Sequence, residues 1–392
     1  MTEAPWAALR AQLPILSERR YLATHAIGPL PIAARAYLEE YAASLSHRLR
    51  SVPLHLERME TVRGLLAQLI GAPPRDVALM PSASAAEASV ALSLQPGVGY
   101  REGRAEPRRR RILISRQAFP SSRFLWEAQA ARGFEVHPIE APGGERDAEA
   151  LVAAIDERVT AVALPWVEPR ASALIELAPL VSACRAAGAL LIVDGFQALG
   201  VVPLDVGEVS ADVVLGGVHK WLCGASMGLA MLYVAPEVAA ALQPAAPGWV
   251  GSVSFPDFGE HYQPAPGAAR FQQGTPPVEP LFGAQAGLEL ILSAGVPALR
   301  ARSLELTERL LHEAAERGLR CLTPRARGGT VALDVGALDA RAQGALVQAL
   351  AAIGVDVDTR RGALRISPYP AMAEGAVSSA LADIAAALHR RP

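Results

Sequence analysis

Residues 189–224 read ALLIVDGFQALGVVPLDVGEVSADVVLGGVHKWLCG, and this stretch decides the fold. Ala189–Val193 is an unbroken apolar run of strand length, the pattern of a strand buried on both faces in a parallel sheet. Asp194 stands at its carboxyl end. A second apolar run, Asp212–Leu215, leads through Gly216, Gly217, Val218 and His219 to a lone lysine, Lys220. Ligands of open α/β sheets collect beyond the carboxyl ends of the strands, so the two runs bring an acid and an amine to one crevice. An Asp at a strand end also caps helices, and a Lys after glycines is ordinarily solvated. Two more polar side chains in the same apolar stretch, Gln197 and His219, set this pair apart.

The composition is compatible with a large buried core. Of the 392 residues 51% are hydrophobic, enough for two domains. A net charge of −2 gives no reason to expect nucleic acid or a membrane surface as partner. The three cysteines, Cys184, Cys223 and Cys321, are too few and too scattered for a disulfide framework or a zinc site, and no metal site is expected. With no charged-plus-apolar leader and no run of membrane-span length, a cytoplasmic location is expected. The Arg108–Arg111 cluster has no interleaved aromatics and reads as a solvated loop.

Alternating apolar runs and amphipathic stretches set the organisation. Strands are expected at Val77–Met80, Ile112–Ser115, Phe134–His137, Ala161–Leu164, Ala189–Val193, Val213–Leu215 and Leu229–Val234. Helical patterns such as Arg123–Arg132 and Leu177–Ala187 separate several of them, which implies an α/β domain with a mostly parallel, helix-covered sheet of seven strands. Leu281–Arg317 reads as one or two long helices. Short strands at Thr330–Val335, Val355–Asp358 and Ala363–Ile366 follow, with helices around Ala340–Ile353 and Glu374–Leu388. The expected division is a large domain over 51–285, a smaller C-terminal α/β domain over 286–392, and an N-terminal segment, 1–50, packed with the smaller one.

An acid and an amine in one crevice suit pyridoxal phosphate. The lysine forms an imine, and the acid keeps the ring nitrogen protonated so that the ring accepts electrons. The full pattern is Asp194-x-x-Gln197-x-x-Gly200-x-x-Pro203-x-Asp205, then His219-Lys220-Trp221 and Gly224. It resembles the signature of the class V aminotransferase group of fold-type I pyridoxal phosphate enzymes, which includes cysteine desulfurases, isopenicillin N epimerase and the kynureninases. Met80–Glu87 follows a strand and opens a helix, a start whose free N–H groups and dipole favour an anion. Ser82 is also a candidate N-cap, with Glu87 completing a capping box. The segment occupies the position of the first phosphate loop of class V enzymes, which implies a phosphate role for Ser82, Ala83 and Ser84.

Further segments resemble the kynureninases in particular, so that the likeness extends from about Tyr21 to Leu388. Phe119-Pro120-Ser121-Ser122 is similar to their Phe-Pro-Thr-Asp motif, and implies that Phe119 stacks on the cofactor ring. Pro247-Gly248-Trp249-Val250-Gly251 resembles a Gly-Trp segment near the phosphate. Arg270-Phe271-Gln272-Gln273-Gly274-Thr275-Pro276-Pro277 resembles a segment whose Gly-Thr pair crosses a dimer interface to the partner's phosphate. Gly274 and Thr275 thus imply a homodimer with shared active sites. Leu364-Arg365-Ile366-Ser367-Pro368 resembles the strand whose arginine clamps the substrate carboxylate, a bidentate task suited to guanidinium. Tyr21–Pro29, with His25, takes the place of the Asn-Ser-Leu-Gly-Pro loop. His25, Trp249 and Tyr369 are candidate pocket walls.

The chain departs from the kynureninase pattern at informative positions. His219 precedes the lysine where kynureninases carry tyrosine, as in desulfurases and epimerases. His25 replaces the loop asparagine, Ser122 the acid of Phe-Pro-Thr-Asp, and Gln197 a histidine. The implied chemistry runs as follows. Arg365 fixes the carboxylate of an amino-acid substrate, Lys220 removes the Cα proton, Asp194 stabilises the resulting quinonoid, and Gln197 bonds the ring hydroxyl. Cleavage of the β-side chain, by C–C hydrolysis or C–S lysis, is the leading expectation. Transamination and epimerisation are alternatives, and a non-catalytic cofactor-binding protein is a third. A cysteine desulfurase needs a persulfide cysteine on a loop near the arginine, and Asp356–Ser367 contains none; Cys223, close to Lys220, reads as a packed thiol.

Overall fold

The computed structural model describes residues 3–101, 104–139 and 145–389. All seven expected strands form, with ends shifted by a few residues at most: β1 (Val77–Met80), β2 (Arg111–Ser115), β3 (Glu135–Ile139), β4 (Val159–Pro165), β5 (Leu190–Asp194), β6 (Val213–Gly217) and β7 (Ala230–Val234). They make one sheet in the order β1-β7-β6-β5-β4-β2-β3. Only β7 runs against its neighbours. The link from β6 to β7, residues 218–229, contains no helix. A short helix-free link returns the chain antiparallel, whereas parallel neighbours need a longer crossover. The central strands are buried along their whole length apart from Asp194 and the first residue of β2. This explains their continuous apolar runs, since helices cover both faces.

The helices that matter for the site are α1 (Ile32–Ser44), α2 (Val52–Leu69), α3 (Ala83–Ser93), α4 (Pro120–Glu127), α5 (Val278–Ala294), α6 (Val296–Glu316) and α7 (Glu374–His389). The long helical pattern after residue 277 divides at Gly295, which has φ +78°, and Pro297 then starts α6. The two helices meet at 82°, and no single helix among the described residues is long and apolar enough to cross a membrane. Helix Leu177–Ala187 ends where expected, with Gly188 in the left-handed region at φ +70°.

Two hydrophobic clusters organise the packing. The first surrounds the seven-stranded sheet. The second joins α6 and α7 to the strands β8 (Val331–Asp334) and β10 (Ala363–Ile366), through Leu306, Leu333, Leu364, Ile366 and Leu381, and β9 (Asp358–Arg360) pairs with β10. These strands pair antiparallel in the order β8-β10-β9. The N-terminal segment serves both clusters. Trp6, Leu9, Leu13 and Leu16 join the first, whereas Leu22 joins the second, where Arg20–Tyr21 pairs in parallel with Val355–Asp356.

The arginine cluster departs from its reading as a solvated loop. Arg108 and Arg110 are exposed, but Arg109 is buried and donates to the carbonyls of Val159 and Ala187 at 2.7 and 2.8 Å. Arg111 lies in β2 and pairs with Asp156 at 3.0 Å. Arg109 thus satisfies two buried carbonyls, and Arg111 shares Asp156 with Arg158, which pairs with it at 2.6 Å. One further contact prepares the site. The Gly28 N–H donates to the His219 carbonyl at 2.8 Å, and a Cβ on Gly28 would lie 1.9 Å from the Lys220 carbonyl oxygen. Only glycine lets the N-terminal loop close over the strand end that carries Lys220.

Candidate active site

A cavity of about 230 Å³ lies at the carboxyl ends of the sheet strands. Ser82, Ala83, Ser84, Phe119, Asp194, Gln197, His219 and Lys220, all expected from the sequence, line it. The turn after β1 supplies the first three, the turn after β2 supplies Phe119, the end of β5 supplies Asp194, and the turn after β6 supplies His219 and Lys220. This convergence is a consequence of parallel strands, whose carboxyl ends share one edge.

Ser82 is extended, at φ −165°, and caps α3, its Oγ accepting the Ala85 N–H at 3.0 Å. The cap leaves other first-turn N–H groups for an anion. Glu87 does not complete a capping box. With Ser82 as N-cap the box would need its acid at Ala85, and Glu87 instead faces Ser122 and Trp126.

The acid and the amine modify each other. The Asp194 Oδ1 accepts the Phe196 N–H at 2.9 Å. Burial pushes Asp194 above the usual carboxylate range, while that N–H and the Lys220 charge pull it back. Burial brings the Lys220 ammonium down to about 8, with Asp194 opposing. Its Nζ sits 3.9 Å from the centroid of the Phe196 ring, whose face attracts a cation. His219 meets the edge of the same ring at 5.1 Å. Burial and the neighbouring Lys220 charge lower His219 to about 4, so it is a neutral imidazole at pH 7. Its Nδ1 is buried with no partner among the described residues, a polar atom left for a ligand to satisfy.

Gln197 lines the cavity with its amide partly committed. Its Nε2 donates to the His25 carbonyl at 3.0 Å, and its Oε1 accepts the Trp221 indole N–H at 3.3 Å. One amide N–H remains. Arg365 and His25 stand behind the cavity wall. The Arg365 Nε donates to Asp358 Oδ1 at 2.8 Å, Nη2 donates to Oδ2 at 2.5 Å, and Nη1 donates to the carbonyl of Pro169, itself a lining residue, at 2.9 Å. These bonds use three of five N–H groups and leave one on each terminal nitrogen. His25 bonds Asp358 Oδ1 through Nε2 at 2.8 Å and the Ser367 hydroxyl through Nδ1 at 2.6 Å. Burial takes His25 down to about 4. Asp358 is held well below the carboxylate range despite its own burial, because His25 and Arg365 hydrogen-bond to it.

Trp249, Gly274 and Thr275 do not reach the cavity within one chain. Trp249 and Thr275 line a separate apolar hollow with Phe255 and Pro276, and Gly274 and Thr275 are exposed. Tyr369 is buried in the core rather than in the cavity wall.

Three residues not assigned to the site from the sequence belong to this neighbourhood. Phe196 was hidden between two polar signature positions. Asp358 had a readable signal: Arg361 and Gly362, at φ +48° and +74°, form a two-residue hairpin turn that sets Asp358 opposite Arg365. Glu87 had only the misregistered capping box. The sequence also holds a plainer signal. Lysine and arginine together number 37, and Lys220 is the only lysine. Arginine can replace lysine as a surface cation, but its guanidinium stays protonated and cannot form an imine. The one lysine of the chain lines the cavity that also holds Asp194.

The model of the "Aminotransferase class-V" family matches residues 30–377. The chain belongs to that family. A kynureninase of Xanthomonas euvesicatoria is 30% identical over 377 residues, covering 90% of this chain and 87% of the relative. YcbU of Bacillus subtilis, named an uncharacterized aminotransferase, is 30% identical over 320 residues, covering 82% and 81%. In fold the chain is similar to the cystine C–S lyase C-DES, solved with its product cysteine persulfide. The TM-score is 0.83 at 21% identity, covering 95% of this chain and 99% of that one. It is likewise similar to the cysteine desulfurase CsdA of Escherichia coli, with TM-score 0.81 at 21% identity and 99% of each chain covered. The architecture is that of fold-type I, and the cofactor is pyridoxal 5'-phosphate. The residues present fit that group: an anion seat at α3, an acid, a buried amine and an unmet imidazole nitrogen in one cavity.

An ammonium lowered to about 8 predicts how the cofactor is captured. The neutral amine is the nucleophile, so covalent capture of pyridoxal phosphate by apo-protein should accelerate about tenfold per pH unit below 8 and level off above it. Stopped-flow absorbance checks this, and a rate still rising steeply between pH 9 and 10 contradicts it.

Proposed function

We propose that this class V enzyme, which acts on amino acids, cleaves the β-side chain of its substrate by C–C hydrolysis or C–S lysis without a protein thiol. The observation that carries the reading is the combination of a single amine base with cysteines unsuited to sulfur transfer. Cys184 and Cys223 are buried, and burial pushes both thiols up to about 12. Cys321 is also raised by burial. Reactive thiols are lowered, not raised. Residues 356–367, the place for a desulfurase cysteine, instead carry the Asp358–Arg365 hairpin. The kynureninase relatives, covering 90% of the chain, favour the C–C variant.

In this scheme pyridoxal phosphate supplies an aldehyde for the substrate amine and a ring that accepts electrons. Ser82, Ala83 and Ser84 at the start of α3 bind its phosphate, Phe119 covers the ring, and Gln197 and His219 meet its polar edge. Asp194 holds a proton on the ring nitrogen. Arg365 takes the substrate carboxylate on its remaining terminal N–H groups, with Asp358 and His25 keeping the guanidinium in place. Lys220 would remove the proton from Cα; an amine near 8 is matched to this at neutral pH. A single lysine makes the acceptor of that proton unambiguous.

A second copy of the chain completes the site. Gly274 and Thr275 reach the partner's phosphate, and Trp249 lies in the joint. Three large apolar side chains are exposed there, Trp249, Val253 and Phe258, and Phe258 is 91% exposed. Transamination is the second reading, favoured by the YcbU relative.

Products separate these readings. With L-kynurenine, the hydrolase releases an aromatic amine and alanine without ammonia. A β-eliminating lyase yields pyruvate and ammonia from β-substituted amino acids, and a transaminase turns over only with a 2-oxo acid. Turnover strictly dependent on a 2-oxo acid overturns the proposal. Sedimentation should give twice the 41.2 kDa chain mass, and Thr275→Ala should weaken cofactor binding about tenfold, the worth of a hydrogen bond to a charged group. A monomer that binds the cofactor as tightly as the wild type rejects the shared site.

A further inference from the structure

Glu87 is a carboxyl where the fold has no structural need for one. It lies on the buried face of α3 with Ala86, Val90 and Ala91, is 4% exposed, and lines the cofactor cavity. Its contacts are one-sided. The Ser122 hydroxyl donates to Oε1 at 2.7 Å and the Trp126 indole N–H donates to the same oxygen at 2.6 Å. Oε2 has no protein partner among the described residues. A carboxyl serving only to satisfy two donors would be matched by glutamine, with no ionisable group buried. The donor Ser122 is also the residue that replaces the acid of the Phe-Pro-Thr-Asp pattern. The chain therefore has an acid in contact with that position, delivered from a different element.

We propose that Glu87 is a second carboxyl of the cofactor pocket, a positioning residue whose proton sets, together with Asp194, the total negative charge facing the cofactor ring. The inference rests on the reading that Asp194 faces the ring nitrogen. Two carboxylates sharing a desolvated cavity do not both ionise freely, so the pair titrates as a unit. Burial, then repulsion from Asp194, raise Glu87 to about 7, against the bonds from Ser122 and Trp126. For Asp194, burial likewise favours the neutral acid, while the Phe196 N–H and the Lys220 charge favour its ionisation. Other charges act weakly on Glu87. Arg123 on α4 pairs with Glu127, Lys220 and His219 stand on the Asp194 side, and β6 and the end of the link before β7 contribute the uncharged Leu215, Gly217, Gly228 and Leu229 to the wall. Ionisation of Glu87 near neutral pH adds a negative charge to the cavity, which strengthens the hold on a ring proton.

The test is a pH titration of the bound-cofactor absorbance in wild type, Glu87→Gln and Ser122→Ala. Wild type should change near pH 7, Glu87→Gln should lose that transition while keeping the cofactor covalently bound, and Ser122→Ala should move it to higher pH. A second readout needs no cofactor. A carboxyl whose folded pKa lies above its unfolded value destabilises the fold progressively as pH rises from about 4.5 to 7, and constantly above that. Apo Glu87→Gln should therefore melt above wild type by a gap that opens over this window. Identical cofactor titrations in wild type and Glu87→Gln, both loaded, overturn the proposal; failure of wild type itself to bind the cofactor covalently overturns the underlying reading instead.

Discussion

The site depends on keeping one amine partly neutral inside a crevice that also holds its counter-charge. Burial drives Lys220 toward the neutral, nucleophilic form, and Asp194 restrains it. Complete burial without the acid would leave an amine too weakly basic to remove a Cα proton, and full exposure would leave it protonated at pH 7. The surrounding structure serves that balance. Parallel strands end at one edge, β7 closes the sheet beside β6, the Gly28 loop covers the lysine backbone, and Phe196 lies against the ammonium.

The fold was legible because its central strands are buried on both faces. Continuous runs such as Leu190–Val193 cannot be mistaken for half-exposed strands, and glycines mark the ends of several helices. The candidate cofactor residues were legible for a related reason: each sits at the end of a strand or in the turn that follows it, so its position in sequence determines its position in space. Asp194, His219, Lys220 and the Ser82–Ser84 turn needed no long-range contact to be located.

What could not be read depended on packing between distant segments. Glu87 faces Ser122 across two helices, and Asp358, His25 and Arg365 meet only because the N-terminal loop lies against the small sheet. Arg109 reads as a surface charge until the carbonyls of Val159 and Ala187 close around it. Gly274, Thr275 and Trp249 lie away from the cavity of their own chain, so the role proposed for them depends on a second copy. These misses have a common cause: charged side chains have no periodic signature, and their burial is decided by partners far along the chain.

Retention of a single lysine among 37 basic residues makes the central claim open to a direct measurement. The cofactor-loaded protein is reduced with borohydride, and the adduct is located by peptide mass mapping. The account predicts one phosphopyridoxyl group per chain, on Lys220. An unlabelled Lys220, with the adduct on the N-terminal amine or absent, would contradict it.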